Sequence, residues 1–369
     1  MMDVNIIGGG VIGLSIAYEL ANQGLKVAVF DRQQFGQEAS WAGAGMLPPA
    51  KLECATTPGG QLRAASQPLW PEWSRRLLEE TGIDNGYLNC GGLHVSLAED
   101  VADWQSYVAD WYKTGAVVEE LDSVSLRERA PFLNEEIQSG FYLPEMGQVR
   151  NPRHMKALLS ACASRGVTLH PGAPVFGFET AGAKITGVQT PSGVHQAEQT
   201  VMAGGAWSSE VLSRLGIQCE LVPVQGQIVL LSMNRLPFHQ VIESGRRYLV
   251  PRSDGKILIG STEKQVGFSK ETTAEGIAGL IAFAQSVVPG LGEATFERAW
   301  AGLRPKSIDG LPYLGRVERY QNLIMAAGHY RDGLQLSPIT AKLIRQLICE
   351  EELSISLAPF SCQRGINFD

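Results

Sequence analysis

Asn5-Ile-Ile-Gly-Gly-Gly-Val-Ile-Gly-Leu-Ser-Ile-Ala-Tyr-Glu-Leu-Ala-Asn-Gln-Gly-Leu-Lys-Val-Ala-Val-Phe-Asp31 reads, in order, as an apolar strand, a glycine turn, a helix and a second strand. Val4, Ile6 and Ile7 make Val4–Ile7 mostly apolar. Leu14, Ala17, Tyr18, Leu20 and Ala21 recur at helical spacing, Gly24 stands where a helix ends, and Lys26–Phe30 is the second strand. Gly8, Gly10 and Gly13 form G-x-G-x-x-G in the turn, and Asp31 follows at about the 20-residue interval of a dinucleotide-binding βαβ unit. Each glycine has a task there. Gly8 makes the tight turn, Gly10 lets the backbone approach a pyrophosphate, and Gly13 lets helix and strand pack closely. The N-terminus of the helix offers unpaired N–H groups and the positive end of a dipole to phosphate. Asp31 is placed to accept hydrogen bonds from ribose hydroxyls.

The remaining chain, of 369 residues in all, is long for one hydrophobic core, so two domains are expected. A net charge of −7 without a basic cluster argues against nucleic acid as a partner. No apolar run approaches the roughly 18 residues of a membrane span. No signal peptide is expected, because the first strand begins almost at Met1 with no charged n-region or cleavage site before it. The six cysteines (54, 90, 162, 219, 349 and 362) show no C-x-x-C pair, and the six histidines no H-x-x-x-H pair. A cytoplasmic protein with reduced thiols and no metal is the expectation.

Beyond Asp31, Ala39–Met46 consists mostly of small residues, which lets a backbone run close against a flat ligand. A long helical stretch is expected over Gly59–Thr81, a tryptophan-bearing helix over about Asp100–Thr114, and a helix over Pro152–Arg165. Strands are expected at Gly91–Leu97, Gln138–Leu143, Val167–His170, Pro174–Thr180, Ile185–Thr190 and Thr200–Ala203, the last entering the glycine-rich Ala203–Trp207. From Leu221 the pattern turns β-rich, with Gln227–Ser232, Gln240–Ser244, Tyr248–Pro251, Ile257–Ser261 and Thr295–Trp300 interrupted by a helix at Ala274–Val288. Strand Asn322–Ala327, loop Gly328–Gly333 and a helix with Ser337-Pro338 as its N-cap and N1 pair close the chain. The fold class that follows is α/β (α+β overall): a discontinuous Rossmann-like domain over about 1–87, 146–220 and 302–369, and a second, mostly antiparallel β domain over 88–145 and 221–301 that holds the substrate. A ligand is expected between them.

The βαβ unit alone does not separate NAD from FAD. Three features favour FAD: the motif at the very start of the chain, the small-residue segment after Asp31, and a second helix entry at Leu323–Ile344 that could face the pyrimidine end of a reduced flavin. With these in place the chain resembles the FAD-dependent D-amino-acid oxidase family, and within it the bacterial glycine oxidases associated with thiamine biosynthesis. The resemblance is carried by Val4–Asp31, Ala42–Leu47, Tyr248-Leu-Val-Pro-Arg252, Trp300-Ala-Gly-Leu-Arg-Pro305, Asp309–Gly315 and Ala326–Gly333.

That resemblance implies non-covalent FAD and a small amino acid as substrate. It implies that Arg304 binds the substrate carboxylate, that Tyr248 donates its hydroxyl to the same group, and that Arg331 borders the substrate. Flavin contacts would fall on Gly8, Gly10, Val11, Ile12 and Gly13, on Asp31, Arg32, Ala39 and Ser40, and on Ala44, Gly45 and Met46. Val175 would meet the adenine end, and His329, Tyr330, Arg331, Asp332, Gly333, Leu334 and Gln335 would line the flavin ring. The chemistry agrees: the planar fork of arginine matches a carboxylate, and the flavin supplies the redox work, so no catalytic His or Cys is required.

Two departures stand out. Glu263 replaces a methionine found in some glycine oxidases, and Arg246-Arg247 precedes Tyr248 where a histidine can occur. Glu263 is expected to be held by an arginine rather than to bind substrate, because an unpaired carboxylate would repel the substrate's own. Oxygen is the expected electron acceptor. A dehydrogenase passing electrons to a quinone or protein, and a non-catalytic dinucleotide-binding protein, both remain open, as does the choice between monomer and homo-oligomer.

Overall fold

The computed structural model describes residues 1–97 and 103–368. Strand β1 (Met2–Ile7), helix α1 (Val11–Asn22) and strand β2 (Val27–Phe30) form the expected βαβ unit. β1 lies between β2 and Gly193–Met202, parallel to both. Thr168–His170 continues the parallel order beyond β2, and Tyr320–Ala327 beyond Gly193–Met202. Antiparallel strands Gly177–Ala181, Lys184–Thr190 and Tyr313–Val317 complete an eight-stranded sheet. Strands covered on both faces read as continuous apolar runs, as β2 does, and β1 interrupts its own with Asn5, whose side-chain amide donates to the His195 carbonyl at 2.8 Å. α1 is buried along most of its length and packs with the helices Asn151–Ser164 and Ser337–Ile348.

A second eight-stranded sheet runs in the order Thr295–Ser307, Leu221–Ser232, Lys256–Gly260, Arg247–Pro251, Val241–Ser244, Gly92–Val95, Gly140–Leu143 and Glu119–Leu121. Only Val241–Ser244 and Gly92–Val95 pair in parallel. One face buries Val229, Leu231, Leu249, Ile257 and Ile259 against Leu280, Phe283 and Val287 of the helix Ala274–Val287. The opposite face carries Ile228, Tyr248 and Leu258, and packs in part against Val108 and Trp111 of the helix Trp104–Lys113. Residues before 103 in that expected helix lie outside the described residues.

Three local expectations need correction. The stretch at Gly59–Thr81 is two helices, Pro58–Ser66 and Trp70–Thr81, joined by a 3-10 turn at Gln67–Leu69. Pro68 and Pro71 lack the N–H that a continuous helix needs. Ser337 is the first residue of the last helix and not its cap, which is Leu336.

The strand expected to stop at Trp300 runs on to Ser307, and its partner starts at Leu221 rather than Gln227. Their prolines, Pro223 and Pro305, face each other in register. Thr295–Ser307 is an edge strand, and Lys256–Gly260 pairs with Leu221–Ser232 only from Ile228 onward. Neither proline therefore removes a ladder hydrogen bond. The extension carries Arg304 into the body of the sheet.

Among the described residues, no helix is long and apolar enough to cross a membrane, and no group of three or more His, Cys, Asp or Glu side chains could hold a metal ion.

Candidate active site

A cavity of about 550 Å³ runs from the β1–α1 turn to the second sheet. At the first end the backbone builds the walls. Gly8 has φ of +107°, and a methyl group on it would overlap the Ala203 carbonyl. Gly10 caps α1 without a side chain of its own, and the Val11 N–H is taken by Ser40 Oγ at 2.8 Å. This bond brings the small-residue segment against the helix entry. Gly13 does not line the cavity: a Cβ there would overlap the Gly8 carbonyl, so its part is the close packing of helix on strand.

Asp31 accepts the Gly9 N–H at 2.8 Å through Oδ2 and the Gln33 N–H at 3.0 Å through Oδ1. Burial pushes its carboxyl upward against the opposing pull of those two N–H groups. Arg32 stacks over the Trp207 ring at 3.7 Å and pairs with Glu38 at 2.6 Å. Val175, Ala39, Ala44, Gly45 and Met46 line the same cavity.

The loop 328–335 forms the wall between the two ends. Tyr330 takes a left-handed backbone (φ 51°), and its N–H is held by the Pro305 carbonyl at 2.9 Å. His329 is buried and lies 3.0 Å from Thr340 Oγ1 through Nε2. Burial pushes its ring down to about 3, so it is neutral at physiological pH and unsuited to act as a general base. Asp332 is paired with Arg63 at 2.9 Å, and the Gln335 side chain donates to the Pro48 carbonyl at 2.9 Å. Gly333, Leu334 and Gln335 line the cavity immediately before the last helix.

At the second end the walls are side chains on one sheet face. Arg304 and Tyr248 both project into the cavity. A Cβ on Gly226 would overlap the Arg304 guanidinium, and one on Gly260 would overlap the Tyr248 ring. The two glycines thus open troughs along which both side chains lie. Arg304 Nη2 donates to Ser261 Oγ at 2.6 Å, which holds the fork without neutralising it.

Arg331 has a different neighbourhood from Arg304. Its guanidinium pairs with Glu263, which also accepts from the Tyr330 hydroxyl. Arg246 reaches Glu263 as well, at 3.4 Å. Burial alone would push the Glu263 carboxyl up. The Tyr330 hydrogen bond and the two arginines outweigh it and hold it below the usual carboxylate range.

Several site residues escape a linear reading. Arg252 is buried and donates to Gln148 Oε1 at 2.6 Å, to the Val149 carbonyl at 3.1 Å and to the Ala44 carbonyl at 2.6 Å. It ties the small-residue segment to the second sheet. Burial and the nearby Arg150 push it down to about 10, which leaves it charged. Ala203–Trp207 completes the wall opposite Gly8; its glycines marked a turn, but nothing local assigned it to the cavity. Glu243 also lines the cavity, one strand away from Tyr248.

A glycine-lined helix entry and an acidic residue at the end of β2 thus face an arginine-bearing sheet across one cavity. The chain belongs to the DAO family, described as FAD dependent oxidoreductase, which matches residues 3–347. It is 36% identical to glycine oxidase from Geobacillus kaustophilus over 99% of this chain and 97% of that protein. It is 34% identical to glycine oxidase from Pseudomonas putida over 97% of each. The crystal structure of the Geobacillus kaustophilus glycine oxidase superposes with a TM-score of 0.93, covering 99% of both chains at 35% identity.

Proposed function

We propose that this protein oxidises the amino group of a small amino acid, glycine foremost, with sarcosine and small D-amino acids as further substrates. The observation that carries the reading is Arg304: a guanidinium in the cavity whose neighbours are a hydroxyl and a carbonyl, with no carboxylate among the described residues to neutralise it. A cation so placed calls for an anionic ligand. Similarity to two glycine oxidases over nearly the full length supports the choice of amino acid.

In this reading Arg304 grips the substrate carboxylate as a fork, and Tyr248 donates its hydroxyl to the same group. Arg331, tied to Glu263, closes the border of the site. The FAD would lie with its phosphates at the entry of α1, between Gly8, Gly10, Val11 and Ile12, its ribose near Asp31, and its ring along Ala44–Met46 and His329–Gln335. When bound, the flavin would supply the acceptor for a hydride from Cα, with oxygen as the final acceptor and hydrogen peroxide as its product. The imino acid then hydrolyses to ammonia and a 2-oxo acid, glyoxylate when glycine is the substrate. The protein's share is orientation, since fixing the carboxylate fixes where the Cα–H points.

None of the residues lining the cavity is a cysteine, which supports non-covalent FAD. Acid precipitation should release the flavin into the supernatant. A screen of glycine, sarcosine, D-alanine and D-proline for peroxide release tests the whole reading. Reduction of a dye without peroxide would make the protein a dehydrogenase instead.

A further inference from the structure

One row of register partners crosses all eight strands of the second sheet: Trp300, Ile228, Gly260, Tyr248, Glu243, His94, Phe141 and Glu120. Residues so paired share a face, and neighbours stand about 5 Å apart at Cβ. The row therefore leads from the substrate trough at Tyr248 to Glu243, and then to His94 behind it. Glu243 lines the cavity, yet its side chain is only 16% exposed. Nε2 of His94 lies 3.5 Å from its Oε1.

His94 is enclosed. Its ring stacks on Phe141 at 4.5 Å and meets Trp111 edge-on at 5.1 Å, and Nδ1 lies 2.8 Å from the Tyr107 hydroxyl. Its Nε2, facing Glu243, has no hydrogen-bond partner. Burial pushes the His94 ring down to about 3 and the Glu243 carboxyl up to about 7. At neutral pH His94 is thus uncharged and gives Glu243 no cation. Among the described residues, the other charged side chain of the cavity on that side is Arg246, which is engaged with Glu263.

An acid is out of place on this face unless it has a task. The same face carries an apolar cluster that includes Val241, Val250, Leu258 and Phe141, and an apolar residue would join it without a desolvation cost. The remaining acids of the cavity have partners or lie at the nucleotide end. Asp332 is paired with Arg63, Glu38 with Arg32 and Lys270, and Asp31 with backbone N–H groups. Only Glu243 joins the face that carries Arg304, so the trough offers a cation to one end of an amino acid and a carboxylate to the other.

We propose that Glu243 receives the amino end of the substrate and takes one proton from it, with His94 as its hydrogen-bonding support. The proposal rests on the amino-acid reading of the site. In the step, an N–H bond of the substrate ammonium breaks as an O–H bond forms on the Glu243 carboxylate. The amine becomes neutral, the carboxyl becomes neutral, and no electron changes owner. The lone pair left on nitrogen is what allows the Cα hydrogen to leave as hydride. The new carboxyl proton can be shared with Nε2 of His94, whose Nδ1–H in that tautomer faces the Tyr107 oxygen.

The test uses FAD-loaded protein and Glu243→Gln, which keeps shape and hydrogen bonding. For the wild type, kcat/KM for glycine should rise through a midpoint near 7 as Glu243 ionises. Glu243→Gln should lose that limb and fall roughly 100-fold at neutral pH, recovering only as the free amine accumulates in alkali. A variant within twofold of wild type, with the same profile, overturns the proposal. A second readout does not need turnover: binding of 2-aminoisobutyrate, which has no Cα–H, followed by perturbation of the flavin absorbance, with acetate as the carboxylate-only control. Glu243→Gln should weaken the amino ligand at least tenfold and leave acetate unchanged; equal weakening of both, or of neither, contradicts the proposal. A wild type that binds both ligands but oxidises no amine would refute the functional reading, and the ligand comparison would still decide the role of Glu243. His94→Phe, which can stack on Phe141, should retain FAD and move the midpoint downward, because it removes the Nε2 acceptor that holds the protonated carboxyl. An unmoved midpoint removes His94 from the account.

Discussion

The two ends of the cavity are built from different materials. At the nucleotide end the walls are mostly backbone: the β1–α1 turn, the Ala203 carbonyl against Gly8, and the Ser40 hydroxyl on the N–H of Val11. At the other end they are side chains on a sheet, with Gly226 and Gly260 leaving the troughs in which Arg304 and Tyr248 lie. A backbone cradle tolerates almost no change at its glycines but is indifferent to many side chains. A side-chain floor keeps its fold through substitution and loses its chemistry. Damage at the first end should therefore appear as lost flavin, and damage at the second as lost turnover with flavin retained.

The largest expected effect is at Gly8. Gly8→Ala forces a methyl group into the Ala203 carbonyl at a φ of +107°, so the protein should emerge without bound flavin or fail to fold. Flavin absorbance per mole of purified protein measures this, and a yellow, stoichiometric variant would break the comparison. Next comes Arg304→Ala. It should keep its FAD and lose roughly 100- to 1,000-fold in kcat/KM for glycine, the loss set by a buried carboxylate left without its partner. A fall in flavin content to match would mean that the two ends are one unit.

Gly226→Ala sharpens the division further. It touches neither ligand but displaces the Arg304 fork, so KM for glycine should rise about tenfold with flavin content unchanged. The smallest effect belongs to Glu263→Gln. Its partners Arg331, Tyr330 and Arg246 sit on the rim, where such pairs contribute about 0–1 kcal/mol, so kcat/KM should change less than about fivefold and the order of preferred amines should stay the same. A large change in amine selectivity would show that Glu263 meets the substrate.

The same division explains what a linear reading can see. G-x-G-x-x-G and Asp31 are legible because their geometry is local: the turn, the helix entry and the strand end lie within one βαβ unit, and the constraints fall on single residues. The sheet face is assembled from strands far apart in the chain, so its register appears nowhere in the local pattern. Arg304 was within reach only through resemblance, because Pro305 reads as a strand breaker. In the fold both prolines sit where no ladder hydrogen bond is needed, and the strand continues to Ser307. Glu243 reads as the solvent side of a short strand, and only its pairing with Tyr248 and His94 turns it inward. Arg252 was visible in the Tyr248–Arg252 motif, but its partners Ala44 and Val149 lie more than a hundred residues away.

The most direct test of the account is anaerobic mixing of the FAD-loaded protein with glycine. The account predicts that the visible flavin absorbance bleaches, that Arg304→Ala with full flavin bleaches far more slowly, and that admitting oxygen restores the colour with release of peroxide. A wild-type flavin that stays oxidised with glycine, sarcosine, D-alanine and D-proline alike would contradict it.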